Sequence, residues 1–158
     1  MRALIQRVTS ASVHVDDSPV GEIGIGLLVL VGITRGDQKH DVEYIVDKTI
    51  NLRIFPDSEG KFDKSVVDVG GSVLLVSQFT LYSNTRKGRR PSFTEAMAPE
   101  EAKDMFDVVT RAFGNTGVSV EQGIFQSQMQ VKLVNDGPVT IMIDSEDRNA
   151  SRGSSNAG

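Results

Sequence analysis

The sequence predicts an α+β fold in which a barrel-like or mixed β-sheet carries two main helices. Three observations predict it. Short runs rich in Val, Ile, Ser and Thr recur along the chain, separated by turn residues. Only two stretches, residues 37–52 and 99–113, have the pattern of helices. The run at 72–81 is apolar without alternation, as in a strand buried on both faces. Two helices among many strands point to an α+β barrel or sheet.

The elements follow in chain order. Residues 2–15 form one or two strands. Ile23-Gly24-Ile25-Gly26 and the run 27–33 look like a hairpin-like pair leading into a buried strand, the glycines marking bends or close backbone approach. In residues 37–52, Val42, Ile45, Val46, Thr49, Ile50 and Leu52 recur at helical spacing, with Asp37 or Asp41 as cap. Residues 53–56 are a short strand, and 57–61 have turn chemistry. Residues 84–91 are a loop. Pro99 sits at the first turn of the second helix, Glu100 and Glu101 oppose its dipole, and Gly114 ends it. Residues 118–120, 128–134 and 139–143 complete the sheet.

Between the last two strands lies Asn135-Asp136-Gly137-Pro138. The plain expectation is a hairpin turn, since these are turn residues. A second expectation competes. Gly137 tolerates φ values other residues avoid, and Pro138 fixes its own φ, donates no N–H and tolerates a cis peptide. Such a segment can aim two carbonyl oxygens at a ligand.

With 158 residues the chain fits one domain, taken here as 1–145, and residues 146–158 are expected to be a disordered tail. At 39% hydrophobic and 24% charged it has an ordinary globular composition. The absence of Cys excludes thiol catalysis, disulfides and Cys-bound zinc. The first residues lack a signal-peptide core, and no run is long enough to span a membrane, so a cytoplasmic protein is expected. A net charge of −4 argues against a generally basic nucleic-acid binder. Arg86, Lys87, Arg89 and Arg90 nevertheless crowd four cations into five residues. They form either a solvated loop or a local contact for phosphates.

The residues exclude most hydrolase machinery. His14 and His40 are the only histidines and form no metal pair, so no metal site is expected. No nucleophile elbow, phosphate loop or dinucleotide fingerprint is present, and no cofactor is called for. The polar residues within apolar sequence are Ser77 and Gln78, followed by Phe79 and Thr80. Ser77 and Gln78 either satisfy backbone groups at a strand end or point into a pocket walled by Phe79. Thr80 is a possible nucleophile without an evident base.

Val76-Ser77-Gln78-Phe79-Thr80-Leu81 together with Asn135-Asp136-Gly137-Pro138-Val139-Thr140 resembles the D-aminoacyl-tRNA deacylase family. Met1-Arg2-Ala3-Leu4-Ile5-Gln6-Arg7-Val8, Leu52-Arg53-Ile54-Phe55 and Arg90-Pro91-Ser92-Phe93 extend the resemblance. One departure stands out: Gln126 and Ser127 replace a Gly-Ala pair that usually follows the aromatic. The resemblance implies an intertwined homodimer that cleaves the ester joining a D-amino acid, or glycine mischarged on tRNA(Ala), to the tRNA 3′ end. It implies catalysis assisted by the RNA and proofreading by rejection of L-aminoacyl groups. Ser77, Gln78, Phe79 and Thr80 would line the catalytic side, and Gly137 and Pro138 would select chirality across the dimer. Arg7, Asn135, Val139 and Thr140 would support that pair, and Arg86, Lys87, Arg89 and Arg90 would contact tRNA. A nucleic-acid-binding protein on the same fold is the alternative, and a small-ester hydrolase using Thr80 is the weaker one.

Overall fold

The computed structural model describes residues 1–149. Its organising element is β1 (Arg2–Val15), a single strand of 14 residues. A tight turn at Asp16 and Asp17, with φ of 48° and 62°, returns the chain as β2 (Ser18–Ile23) along the C-terminal half of β1. β3 (Gly26–Gly32) pairs antiparallel with the N-terminal half of β1, from Arg2 opposite Gly32 to Val8 opposite Gly26. The expected hairpin between residues 23–26 and 27–33 is therefore not formed. β2 and β3 instead share one edge of β1, which is long enough to seat both in sequence.

α1 (Lys39–Ile50) follows β3. Of the two expected caps, Asp41 acts from inside the first turn, its Oδ2 accepting from the Gln38 N–H at 2.9 Å. Asp37 accepts instead from the Met1 ammonium at 2.6 Å and the Thr34 N–H at 2.8 Å. The short hairpin β4 (Phe55–Pro56) and β5 (Phe62–Lys64) comes next. β6 (Ser72–Ser77) then pairs parallel with β3, α2 (Pro99–Gly114) crosses over, and β7 (Ser119–Gln122) pairs parallel with β6. Parallel neighbours need such crossovers, which is why both helices fall there.

The two faces of β3 and β6 explain their unbroken apolar sequence. Leu27, Val29, Val31, Val73 and Leu75 pack with Ile45 of α1 and Phe106, Val109 and Phe113 of α2. Leu28, Leu74 and Val76 face the other way and join Val8, Val13 and Ile23 in a second core. The result is a mixed, nearly closed barrel-like sheet with two helices.

β8 (Gln130–Asp144) runs antiparallel along the free edge of β1, from Arg2 opposite Asp144 to His14 opposite Gln130. Residues 135–138 are thus not a hairpin turn. Both flanking segments pair with the same strand instead of with each other. Gln6 stands opposite Thr140 and Val8 opposite Asn135, so β1 advances two residues while β8 advances five. The surplus bulges out of the ladder, the position in a strand that accepts a proline.

Residues 146–149, the first of the expected tail, are ordered into structure. Ser145–Asn149 forms a 3₁₀ turn in which Arg148 pairs with Asp41. Residues 150–158 of that expected tail lie outside the described residues. No helix among the described residues is long and apolar enough to cross a membrane.

Candidate active site

The 72–81 run does not stay a strand. β6 ends at Ser77, the Gln78 N–H donates to the Val31 carbonyl at 2.8 Å, and Phe79–Tyr82 coils into a 3₁₀ turn. Leu81 N–H closes that turn on the Gln78 carbonyl at 3.2 Å. Gly32 permits the coil to fold back, because a Cβ there would stand 2.9 Å from Leu81 Cβ. Propensity at 79–82 yields to this close approach.

The turn has its own brace. Arg2 donates to the Leu81 carbonyl at 3.0 Å, pairs with Asp144 at 2.8 Å and stacks 4.5 Å from the Tyr82 ring. Burial of Asp144 alone would raise its pKa. The hydrogen bonds from Arg2 and from the Glu146 N–H outweigh that, and the carboxyl titrates below the usual aspartate range. Burial, reinforced by the charges of Asp37 and Asp144, pushes the Tyr82 hydroxyl far up. Tyr82 is therefore a neutral structural ring and not a base.

Beside the turn opens a cleft of about 760 Å³. Its walls are apolar, with Val31, Val76, Phe93, Met97, Phe125 and Met129 among them. Ser77 and Gln78, at the end of β6, are among its lining residues. Phe79 also lines it, 58% exposed, with its ring edge-on to Phe93 at 4.9 Å and 77°. Thr80 is exposed and stands outside the lining. Its hydroxyl accepts from the Gln78 carboxamide, which is a donor and not a base. Among the described residues no His, Asp or Glu lines the cleft, and Arg35 is its one charged residue. The cleft is built to position a substrate rather than to activate a side-chain nucleophile.

The bulge at 135–138 is held from both sides. Arg7, with its side chain 8% exposed, donates from Nε to the Asp136 carbonyl at 3.0 Å and from Nη1 to the Ile54 carbonyl. Its Nε also lies 3.2 Å from Asp136 Oδ2. Asn135 spans the bulge: Oδ1 accepts from the Val139 N–H at 2.7 Å, and Nδ2 donates to Thr140 Oγ1 at 2.9 Å. Gly137 takes φ of 139°, a conformation L side chains rarely adopt, and the Gly137-Pro138 peptide is cis. The four expected supporting residues therefore surround the expected pair. Gly137 and Pro138 are themselves exposed and do not line the cleft. One chain does not bring its two motifs together.

Arg86, Lys87, Arg89 and Arg90 are exposed and make no ion pair among the described residues. Asn84 and Ser92 close the base of their loop by paired backbone bonds of 2.8 and 2.9 Å, which sets Phe93 against the cleft. Sequence reasoning did not anticipate Arg35, Phe93 or Met97 in the lining. Arg35 sits in an ordinary-looking Thr-Arg-Gly-Asp stretch, and only the fold brings it to β6. Gln126 and Ser127 had one signal, their departure from a small pair, and both line the cleft.

A nearly closed mixed barrel, an apolar cleft at the end of β6 and a braced Gly-Pro bulge define a positioning-type α+β protein. Residues 4–144 match the D-Tyr-tRNA(Tyr) deacylase family, and the chain belongs to it. It is 56% identical over 146 residues to a D-aminoacyl-tRNA deacylase of Desulfitobacterium hafniense (strain DSM 10664 / DCB-2), covering 92% of this chain and 98% of that one. The D-aminoacyl-tRNA deacylase of Roseiflexus sp. (strain RS-1) is 54% identical over 145 residues, covering 92% and 94%. Among solved structures, a c-Myc DNA unwinding element binding protein matches with TM-score 0.86 and 40% identity, over 91% of this chain and 98% of that one. A probable eukaryotic D-amino acid tRNA deacylase shares the fold, with TM-score 0.78 at 18% identity, over 90% and 98%.

Proposed function

We propose that this protein hydrolyses the ester joining a D-amino acid, or glycine, to the 3′-terminal adenosine of tRNA, in the cytoplasm and as a homodimer. The observation that carries the reading is the 56% identity, across 98% of its length, to a relative named D-aminoacyl-tRNA deacylase. The cleft supports it, with Ser77, Gln78 and Phe79 on its wall and no base among the described residues that line it.

An aminoacyl ester is already activated, so positioning and oxyanion stabilisation suffice. Water adds to the carbonyl carbon, the bond to the 3′ oxygen breaks, and that oxygen takes the proton. The neighbouring 2′-hydroxyl of the substrate assists the proton transfer. In this reading the backbone N–H of Phe79, on the cleft wall, faces the developing oxyanion, with that of Thr80 next to it at the cleft edge. The 3₁₀ turn leaves both without a partner inside it, since its first bonds are donated by later residues.

Chirality is selected by exclusion. Gly137 and Pro138 of a second copy meet the α-ammonium with their carbonyls and leave no room for an L side chain. Their exposure outside the cleft of their own chain fits such a role. The outer edge of β8, paired only with β1 and carrying exposed Leu133, Val134 and Met142, fits a surface that a second copy covers. Glycine has no side chain to exclude. The expected result is release of D-tyrosine and of glycine from their tRNAs while L-tyrosyl-tRNA survives. Activity on D-tyrosyl-tRNA without any on glycyl-tRNA would sink the exclusion model.

The 40% identity to a protein named for DNA binding supports a second reading, in which the fold binds nucleic acid without deacylating it. The same assay decides: no release from any aminoacyl-tRNA, with binding retained, favours it.

A further inference from the structure

Among the described residues, Arg35 is the one charged residue on the wall of an otherwise uncharged cleft. It is exposed and forms no ion pair among the described residues. Its backbone is nevertheless fixed. The Arg35 N–H donates to the Glu95 carbonyl at 3.2 Å, and Thr34 Oγ1 reaches the same carbonyl at 2.6 Å. Thr34 N–H is held by Asp37, and Thr34 bridges to Ala96 on the cleft wall, so the residue preceding Arg35 is tied down. A guanidinium on a cleft-lining residue, with no ion-pair partner among the described residues, is matched to a ligand anion. Its planar fork suits the paired oxygens of a phosphate.

Resting on the reading of the cleft as the site for a 3′-terminal nucleoside, we propose that Arg35 binds the single phosphodiester on the 5′ side of that nucleoside. The ester lies at Ser77, Gln78 and Phe79, and the apolar walls take the nucleoside. The chain leaving its 5′ oxygen then passes Arg35 on the cleft wall. On a protein of net charge −4, a cation in that lining is what admits a polyanion end to the cleft. Arg35 is thus a binding residue, separate from the basic loop at 86–90, which stands clear of the cleft lining.

The test uses two non-hydrolysable probes in calorimetric titration: 3′-(D-tyrosylamino)-3′-deoxyadenosine and its 5′-phosphate methyl ester. Wild type is expected to bind the phosphorylated probe about tenfold more tightly at low salt. Arg35→Gln loses that increment and binds the unphosphorylated probe as wild type does, which also shows that the variant is folded. Arg35→Lys restores part of it, and the salt slope for the phosphorylated probe falls by about one charge in Arg35→Gln. An equal phosphate increment in wild type and Arg35→Gln overturns the proposal, as does no increment in wild type. If wild type binds neither probe, the nucleoside reading of the cleft fails, and this inference with it.

Discussion

Replacing Arg7 by Met tests how the bulge at 135–138 is held. The guanidinium is almost wholly buried and feeds the Ile54 and Asp136 carbonyls. Ile54 is 3% exposed, so its carbonyl has no access to replacement water. An acceptor left unpaired in that way costs about 1–3 kcal/mol. Asp136, with a side chain 47% exposed, is rehydrated once freed, so the lost ion pair adds only about 0–1 kcal/mol. Met keeps most of the apolar stem, so little cavity forms. The sum is about 1–4 kcal/mol. Lys reaches one carbonyl at a time and should fall about midway. At fixed protein concentration, urea unfolding should show a lower midpoint with an unchanged slope. Calorimetry should show a melting temperature lower by roughly 10 °C. In the proposed reading, Arg7→Met also narrows the gap between D- and L-tyrosyl-tRNA cleavage, because the Gly137 and Pro138 carbonyls lose their support. Stability of Arg7→Met within about 0.5 kcal/mol of wild type would refute the reasoning, since no surface substitution is expected to do worse.

Two further outcomes follow from the site. Thr80→Ala should keep much of its deacylase activity, because the Thr80 hydroxyl faces the donor Gln78 and has no base beside it; complete loss with fold and tRNA binding intact would point to a covalent mechanism. Asp144→Asn should flatten the acid limb of stability. The folded pKa of Asp144 is depressed, so its contribution is full above the unfolded value near 3.8 and vanishes as pH falls through the lower folded value. The raised pKa of Asp37 acts in the opposite direction, its contribution present below the unfolded value and lost as pH rises through the folded one. Denaturation curves of wild type and Asp144→Asn should therefore begin to converge as pH falls below about 4 and merge only below the lower folded value. Curves that remain parallel down to pH 2 would exclude this account.

Much of the fold is legible in the sequence because local pattern and burial agree. The β3 and β6 runs are apolar throughout since each presents one face to the helices and one to the second core. Pro99 and the stripe ending at Phe113 mark α2 nearly to the residue. What is not legible is set by partners distant in sequence. Residues 79–82 have strand composition, yet Gly32 and Arg2 turn them into a coil. Residues 135–138 have turn composition, yet β1 continues past them and holds both flanks in one ladder. The motif residues Ser77, Gln78, Gly137 and Pro138 could be picked out by their chemistry. Arg35 could not, because nothing in its neighbourhood separates it from a solvated cation until β3, β6 and α2 are assembled around the cleft.

The separation of the two motifs bears on how the proposed reaction is organised. If a single chain were the catalytic unit, the residues that exclude an L side chain should border the cleft that holds the ester. They do not: the bulge is anchored to Arg7 and Ile54, while the cleft is lined from β3, β6 and α2. The bracing of the bulge is also far stronger than an exposed surface turn needs, with a buried arginine beneath it and Asn135 bonded across it. Under the proposed reading, a surface feature held that firmly and exposed in its own chain is set to meet another molecule. In the homodimer reading that molecule is a second copy, and the rigidity is what makes exclusion effective. A wall that yields by an ångström no longer separates mirror-image substrates, whereas a fixed one rejects by steric overlap without needing any attraction for the correct hand.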